Sequence, residues 1–143
     1  MDGRETISVL IKRTSLEFDK IANTMLSPYH LTNTQFKILR YLAENPDLTI
    51  TQRNLEHNFS MTNPAITGIL QNLEKKGLII RKVNPSDGRS KVIGLTDQSM
   101  SLSSDLAKLS QRMDNQFTES LTTDEKAQLT YLLQRIINNK SID

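Results

Sequence analysis

Cysteine is absent from the 143 residues. Without a thiol there is no disulfide framework, no cysteine-based metal site, no thiol nucleophile and no thiol redox sensor. Glycine and proline are sparse, at five and four, which excludes a collagen-like chain and argues against disorder. No apolar run approaches the roughly 18 residues that span a membrane. The N-terminus, with Asp2 and Glu5 beside Arg4, lacks the charged-then-apolar pattern of a secretion signal. The expected compartment is therefore the cytoplasm. There is no Ser/His/Asp set, no phosphate-cradling glycine loop and no carboxylate pair in an apolar setting, so an enzyme is not expected.

What is present suits one globular domain. Hydrophobic residues make up 36% and charged residues 24%, enough for a core in a chain of single-domain length. The net charge of +2 is small but unevenly placed. Between residues 51 and 95, seven basic side chains (Arg53, Lys75, Lys76, Arg81, Lys82, Arg89, Lys91) face three acidic ones (Glu56, Glu74, Asp87), a surplus of +4. The remainder has eleven basic against thirteen acidic, or −2. A basic middle can be a plain solvated face or a nucleic-acid footprint.

Apolar periodicity and capping signals give the order of elements. Ile7, Leu10, Ile11, Phe18, Ile21, Ala22 and Met25 form one helical stripe, ended by Pro28. Thr32 with Gln35 reads as a capping box, and Leu31 with Phe36 as a hydrophobic staple, for a helix reaching Glu44. Asn45-Pro46-Asp47 breaks it, and 47–50 reads as a short extended piece. Thr51 caps a short helix to Asn58, and residues 59–61 turn into a second helix over 62–76. Pro64 sits in the first turn of that helix and Gly77 stops it. Runs 78–83 and 91–95 read as two strands around a long polar tip, 84–90. A long helix from Thr96 to about Leu121 and a last helix capped by Thr122 and Glu125 complete the chain.

A short helix, a tight turn, a second helix and a hairpin make a winged helix-turn-helix. The expected fold is mainly α with a small β-hairpin. Residues 1–30 form an N-terminal dimerisation helix, 31–96 the winged helix-turn-helix DNA-binding lobe, and 97–143 the C-terminal dimerisation helices.

The helix over 62–76 commits Ile66, Ile69, Leu70 and Leu73 to the core. Its other face carries Asn63, Pro64, Thr67, Gly68, Gln71 and Lys75. Asn, Thr and Gly are weak helix formers, so their presence asks for a reason. Small groups allow close approach in the major groove, and Asn and Gln can bond adenine in two places. On the wing, Arg89 can enter a minor groove, with Asp87 orienting it or capping the turn; Lys91 lies beyond. Thr51, Gln52, Arg53, Ser60 and Thr62 are placed for phosphate contacts from helix N-termini and hydroxyls. A surplus of +4 holds DNA weakly, which points to a dimer. The terminal helices supply apolar stripes for it: Ile7, Leu10 and Ile11 at one end, and Leu129, Leu132, Leu133, Ile136 and Ile137, continuing to Ile142, at the other.

The chain resembles the MarR (multiple antibiotic resistance regulator) family over essentially its full length. The resemblance rests on Leu31-Thr32-x-x-Gln35-Phe36-x-Ile38-Leu39, Thr51-Gln52-x-x-Leu55, Leu73-Glu74-Lys75-Lys76-Gly77-Leu78-Ile79-x-Arg81, Asp87-x-Arg89-x-Lys91 and Leu95-Thr96. It implies a triangular winged-helix homodimer that binds a palindromic operator in double-stranded DNA. It also implies recognition contacts at Thr62, Asn63, Pro64, Thr67 and Gln71, and a wing-tip arginine at Arg89 supported by Asp87.

Most members repress efflux, stress or own-operon genes, and many release DNA when a small aromatic or amphipathic molecule enters a cleft beside the dimer helices. Met25, Tyr29, His30, Phe36 and Tyr41 are candidates to line such a cleft, plain core packing being the alternative. Two features depart from the family pattern. Gly88 stands where an arginine is common, and the recognition helix lacks the basic residue many members turn to DNA. Without cysteine the peroxide-sensing branch is excluded. With only His30 and His57, neither zinc sensing nor any other metal site is expected, and no cofactor is expected beyond a small-molecule effector.

The resulting expectation is a ligand-responsive repressor, reading DNA with helix 62–76 in the major groove and wing 83–91 in the minor groove. An activator on the same fold is the alternative, followed by a winged-helix protein-interaction module. The module would show an apolar exposed stripe on the second helix, and here that stripe is polar.

Overall fold

The computed structural model describes residues 5–139. Ile142, assigned to the last stripe, lies outside them. The chain runs through helix α1 (Ile7–Leu26), a 3-10 turn (Ser27–Tyr29), α2 (Asn33–Glu44), α3 (Gln52–Asn58), α4 (Asn63–Lys75), β1 (Ile79–Asn84), β2 (Asp87–Leu95), α5 (Asp97–Phe117) and α6 (Thr123–Ile137).

All six α-helices begin on a threonine: Thr6, Thr32, Thr51, Thr62, Thr96 and Thr122. Each hydroxyl accepts an N–H that the first turn would otherwise leave unpaired, a contribution of about 1 kcal/mol per cap. In α2, α3, α5 and α6 the third helical residue returns the bond to the threonine N–H, completing a capping box. Local chemistry therefore fixes where the helices start, and packing fixes how they meet.

The core gathers Leu26, Ile38, Leu39, Leu55, Ile66, Leu70, Leu73, Ile79 and Met113, all nearly inaccessible. Helix α2 lies at its centre, against α1, α5 and β2. Ring edges of Phe18 and Phe117 meet at 5.2 Å between centroids and join α1 to α5. Leu31 and Phe36 are both buried at the start of α2, as a staple requires. Helix α6 has no buried residue.

Gly77 ends α4 with φ +75°. The Leu78 N–H reaches the Leu73 carbonyl and the Gly77 N–H the Glu74 carbonyl, both at 3.0 Å. This double bond pattern needs a left-handed residue, which glycine adopts without a Cβ penalty. The same pattern closes α3, from Met61 N–H to the Glu56 carbonyl and from Ser60 N–H to the His57 carbonyl. There Ser60 holds φ +50°. The candidate phosphate contact is thus also the residue that makes the tight turn between α3 and α4.

Three boundaries differ from the sequence reading. Helix α5 ends at Phe117, not near Leu121: Thr118 leaves the helical range at φ −108° and ψ 18°, and the N–H groups of Glu119 and Leu121 turn to the carbonyls of Gln116 and Thr118. The hairpin tip is not one long loop. Asn84 pairs with Asp87 around a two-residue turn, Pro85-Ser86, and the register jumps to Val83 opposite Lys91. Gly88, Arg89 and Ser90 therefore bulge out of the ladder. Side chains hold this shape: Asn84 Oδ1 accepts the Ser86 N–H, Asp87 Oδ1 accepts the Arg89 N–H, and Asn84 Nδ2 donates to Ser90 Oγ. Bulges of this kind re-aim a side chain, here Arg89. The expected extended piece 47–50 is shorter: residues 46–48 turn, with the Leu48 N–H on the Asn45 carbonyl, and only its end meets the hairpin, with Ile93 N–H on the Ile50 carbonyl at 2.8 Å and a bridge from Thr51 to Val92.

Candidate nucleic-acid interface

A concavity of about 610 Å³ opens between the start of α3, the first turns of α4 and the wing. Its walls are Thr51, Gln52, Arg53, Glu56, Asn63, Thr67, Arg89, Ser90 and Lys91. Seven of these nine are among the residues the sequence marks as DNA contacts. The sequence reading missed Glu56 and Ser90. Three cations line this hollow against one carboxylate, a local +2 out of the +4 surplus of the middle segment.

Asn63, Pro64, Gly68, Gln71 and Lys75 are exposed on α4 and Thr67 is half-buried. A Cβ built on Gly68 would meet no atom within 4 Å. Nothing inside this chain asks for glycine there, although glycine costs a helix roughly 0.5–1 kcal/mol relative to alanine. Gln71 and Lys75 lie further along α4, beyond the concavity. The Thr51 and Thr62 hydroxyls cap α3 and α4, accepting the N–H of Asn54 and of Ala65. Gln52 is turned inward, its amide donating to Thr67 Oγ1 at 2.8 Å. Asp87 caps the wing turn and touches Arg89 through the backbone.

The wing is braced against the reading helix. Arg81 on β1 grips Glu74 on α4 through Nε at 3.3 Å and Nη2 at 2.9 Å. That two-pronged hydrogen bond holds the Glu74 carboxyl below its ordinary range and raises Arg81 further. At the same C-terminal end of α4, buried Gln35 ties that helix to α2. Its Nε2 donates to Asn72 Oδ1 at 2.8 Å, and its Oε1 accepts from Lys76 Nζ at 3.3 Å and from the Thr32 N–H at 3.1 Å. Lys76 also donates to the His30 carbonyl, where the chain takes φ +55°.

The structure does not gather the five effector-cleft candidates around one hollow. Phe36 is inside the core. Tyr41 stacks edge-on with Phe59 and accepts a hydrogen bond from Asn58. Met25 and Tyr29 pack half-buried on the core and His30 is exposed. The apolar residues of the chain ends do come together. Ile7, Leu10, Ile11, Leu129, Leu132, Leu133 and Ile136 line a cleft of about 1360 Å³ between α1 and α6. Ile137, outside that cleft, is 78% exposed. Among the described residues no helix is long and apolar enough to cross a membrane, and no three His, Asp or Glu side chains are grouped to hold a metal ion.

The sequence signature of the MarR family matches residues 31–91, from the start of α2 to the wing. The multiple antibiotic resistance protein MarR of Salmonella typhimurium is 33% identical over 129 residues, covering 90% of this chain and 88% of that protein. The chain belongs to the MarR family. The homoprotocatechuate degradative operon repressor of Escherichia coli is 30% identical over 109 residues, 76% of this chain and 72% of that protein.

Two solved MarR-type structures hold DNA. The S. aureus MepR–DNA complex matches with TM-score 0.84 at 29% identity, covering 94% of this chain and 98% of that one. A cysteine-to-serine mutant of E. coli MarR complexed with operator DNA matches with TM-score 0.81 at 31% identity, covering 91% and 92%. These MarR relatives are transcriptional regulators, a role without catalysis.

Proposed function

We propose that this MarR-family chain is a dimeric transcriptional repressor that binds a palindromic operator. The observation that carries the reading is the hollow joining α3, α4 and the wing, where Arg53, Arg89 and Lys91 surround the hydrogen-bonding groups of Asn63 and Thr67. Helix α4 enters the major groove with its small polar face. The bulge aims Arg89 at the adjacent minor groove. The apolar cleft between α1 and α6 packs against its copy in a second subunit, which sets two reading helices on one face of the duplex.

Titration of the protein's own upstream DNA by fluorescence anisotropy, at several salt concentrations, tests this. Expected are tighter binding than to scrambled DNA and a steep salt slope from phosphate contacts. Equal binding to both sequences with a flat slope would overturn it. Arg89→Ala weakens binding to all sequences, whereas Gln71→Ala relaxes preference at particular base pairs.

Response to a small aromatic or amphipathic molecule is part of the same proposal. Met25, Tyr29 and His30 stand where α1 meets α2, and the His30 carbonyl is bonded to Lys76 at the end of α4. A molecule wedged at this junction shifts α4 through that bond and through Gln35–Asn72. A thermal-shift screen of small aromatic acids, followed by operator release, checks it.

A further inference from the structure

Helix α3 faces α4 across two matched hydrogen bonds. Gln52 Nε2 donates to Thr67 Oγ1 at 2.8 Å, and Asn63 Nδ2 donates to Glu56 Oε2 at 2.9 Å. Gln52 and Glu56 are four apart on α3, and Asn63 and Thr67 four apart on α4. Each pair therefore lies on one helical face, one turn apart. The first residue of one pair bonds the last of the other, like two rungs between antiparallel rails. All four side chains line the concavity between α3, α4 and the wing.

We infer that α3 is a template that sets the side-chain orientation of the two reading residues, with Glu56 and Gln52 as positioning residues for base selection. The inference rests on the DNA-binding reading above and goes beyond it in assigning specificity to residues that need not touch a base.

The chemistry of each rung differs. An ionised carboxylate only accepts, so Glu56 selects the NH₂ end of the Asn63 amide and turns Oδ1 away. Asn63 keeps one N–H and the Oδ1 acceptor, the pair that matches N7 and the N6 amino group of adenine. A charged acceptor makes this bond roughly twice as strong as a neutral one. It also gives a task to the one carboxylate in a hollow otherwise suited to phosphate. At the second rung, a helical threonine divides between two rotamers. Gln52 draws Oγ1 to its own side, and the Thr67 methyl takes the position that remains. The bond thereby decides which of the two groups meets the base edge, where a methyl suits thymine.

The test compares base preferences from selection on a randomised duplex library, using wild type, Asn63→Ala, Glu56→Ala, Glu56→Gln and the Asn63→Ala/Glu56→Ala double variant. Circular dichroism checks folding. Wild type and Asn63→Ala identify the base pair that Asn63 reads. Glu56→Ala is expected to lose about tenfold discrimination at that same base pair, within the range carried by one good base contact. The double variant is expected to lose no more than either single one. Glu56→Gln keeps an acceptor at the same reach and is expected to keep most of the discrimination. Both Glu56 variants bind non-specific DNA more tightly, since both remove a negative charge.

Identical behaviour of the Ala and Gln variants, with preference unchanged, makes Glu56 a mere source of repulsion and overturns the template. So does additivity in the double variant. A readout without DNA separates this failure from failure of the DNA-binding reading: the Asn63 side-chain amide, followed by NMR relaxation, is rigid in wild type and mobile in Glu56→Ala. Equal mobility in both overturns the template whatever the protein binds.

Discussion

The lobe formed by α2, α3, α4 and the hairpin and the arms formed by α1 and α6 solve the burial problem differently. In the lobe, Leu55, Ile66, Leu70 and Leu73 are wholly inaccessible, and the polar surface is braced by Gln35–Asn72, Arg81–Glu74 and the two rungs between α3 and α4. On the arms Ile7 remains 70% exposed and Ile136 56%, beside a cleft whose lining is mostly apolar side chains. The lobe finishes its core within one chain and keeps its unfinished polar business for a ligand. The arms leave apolar surface that only another apolar surface completes. The charge sits apart as well: residues 51–95 carry +4, whereas α1, with three basic against two acidic side chains, and α6, with two against two, are close to neutral. Attraction to phosphate and attraction between subunits are thus kept in separate parts of the chain.

The largest test strikes the lobe. Leu70→Ala empties a fully buried site and is expected to cost about 2–5 kcal/mol of stability by denaturant titration. The dimer dissociation constant, from sedimentation, is expected to stay unchanged. Equal damage to both would mean that a loss in the lobe travels through Ala22 and Leu26, the end of α1 that enters the core, to the exposed stripe at its start. The converse variant is Ile136→Asp, which places a charge on the arm surface. Burying that charge is expected to raise the dimer dissociation constant about 100-fold, equivalent to ~2.7 kcal/mol. Lobe chemical shifts should hold, and operator affinity should fall with the loss of the second reading helix.

A smaller test concerns Gly68, where the interests of the fold and of the interface oppose each other. With open space around its Cβ position, Gly68→Ala is expected to stabilise α4 by roughly 0.5–1 kcal/mol. Operator affinity is expected to drop several-fold, because the added methyl stands where the reading helix approaches DNA. A gain in both properties would remove Gly68 from the interface.

What was legible in the sequence follows from how local each cause is. Thr32 with Gln35, Thr51, Thr122 with Glu125, and Gly77 act within one helical turn, so their spacing alone announced the helix ends. The apolar stripes of Ile7–Ile11 and Leu129–Ile137 were legible as stripes, but their spacing alone left open whether they pack on the chain's own core; the structure leaves most of these side chains exposed. The bulge at 88–90 was not legible, since it depends on Asn84 and Asp87 bonding across the turn to Ser90 and Arg89. The end of α5 turned on the backbone of Thr118, which leaves the helical range four residues before the cap of α6. The template on α3 was hidden as well: the sequence shows Glu56 as a negative charge and Gln52 as a phosphate contact and part of a family motif, neither as a partner of α4. Their partners, seven and fifteen residues away, become neighbours only once the tight turn at Ser60 folds α4 back over α3.

The smallest effect lies at the brace between reading helix and wing. Arg81 holds the Glu74 carboxyl below its ordinary value, through the hydrogen bonds first and the nearby positive charges of Arg81 and Lys91 after them, against some desolvation. Because the folded value is depressed, the stabilising contribution is complete above the unfolded glutamate pKa, about 4.3. It fades as pH falls through the lower folded value. Glu74 is solvent-facing, so the effect is modest and sensitive to salt. Glu74→Gln should therefore differ from wild type at neutral pH, with faster hydrogen exchange in β1, and converge with it in acid. High salt should shrink the difference. A difference that persists unchanged at the acid end would show that the brace acts through the shape of the amide or carboxyl group and not through its charge. The wing would then be held to α4 by packing, as the rest of the lobe is.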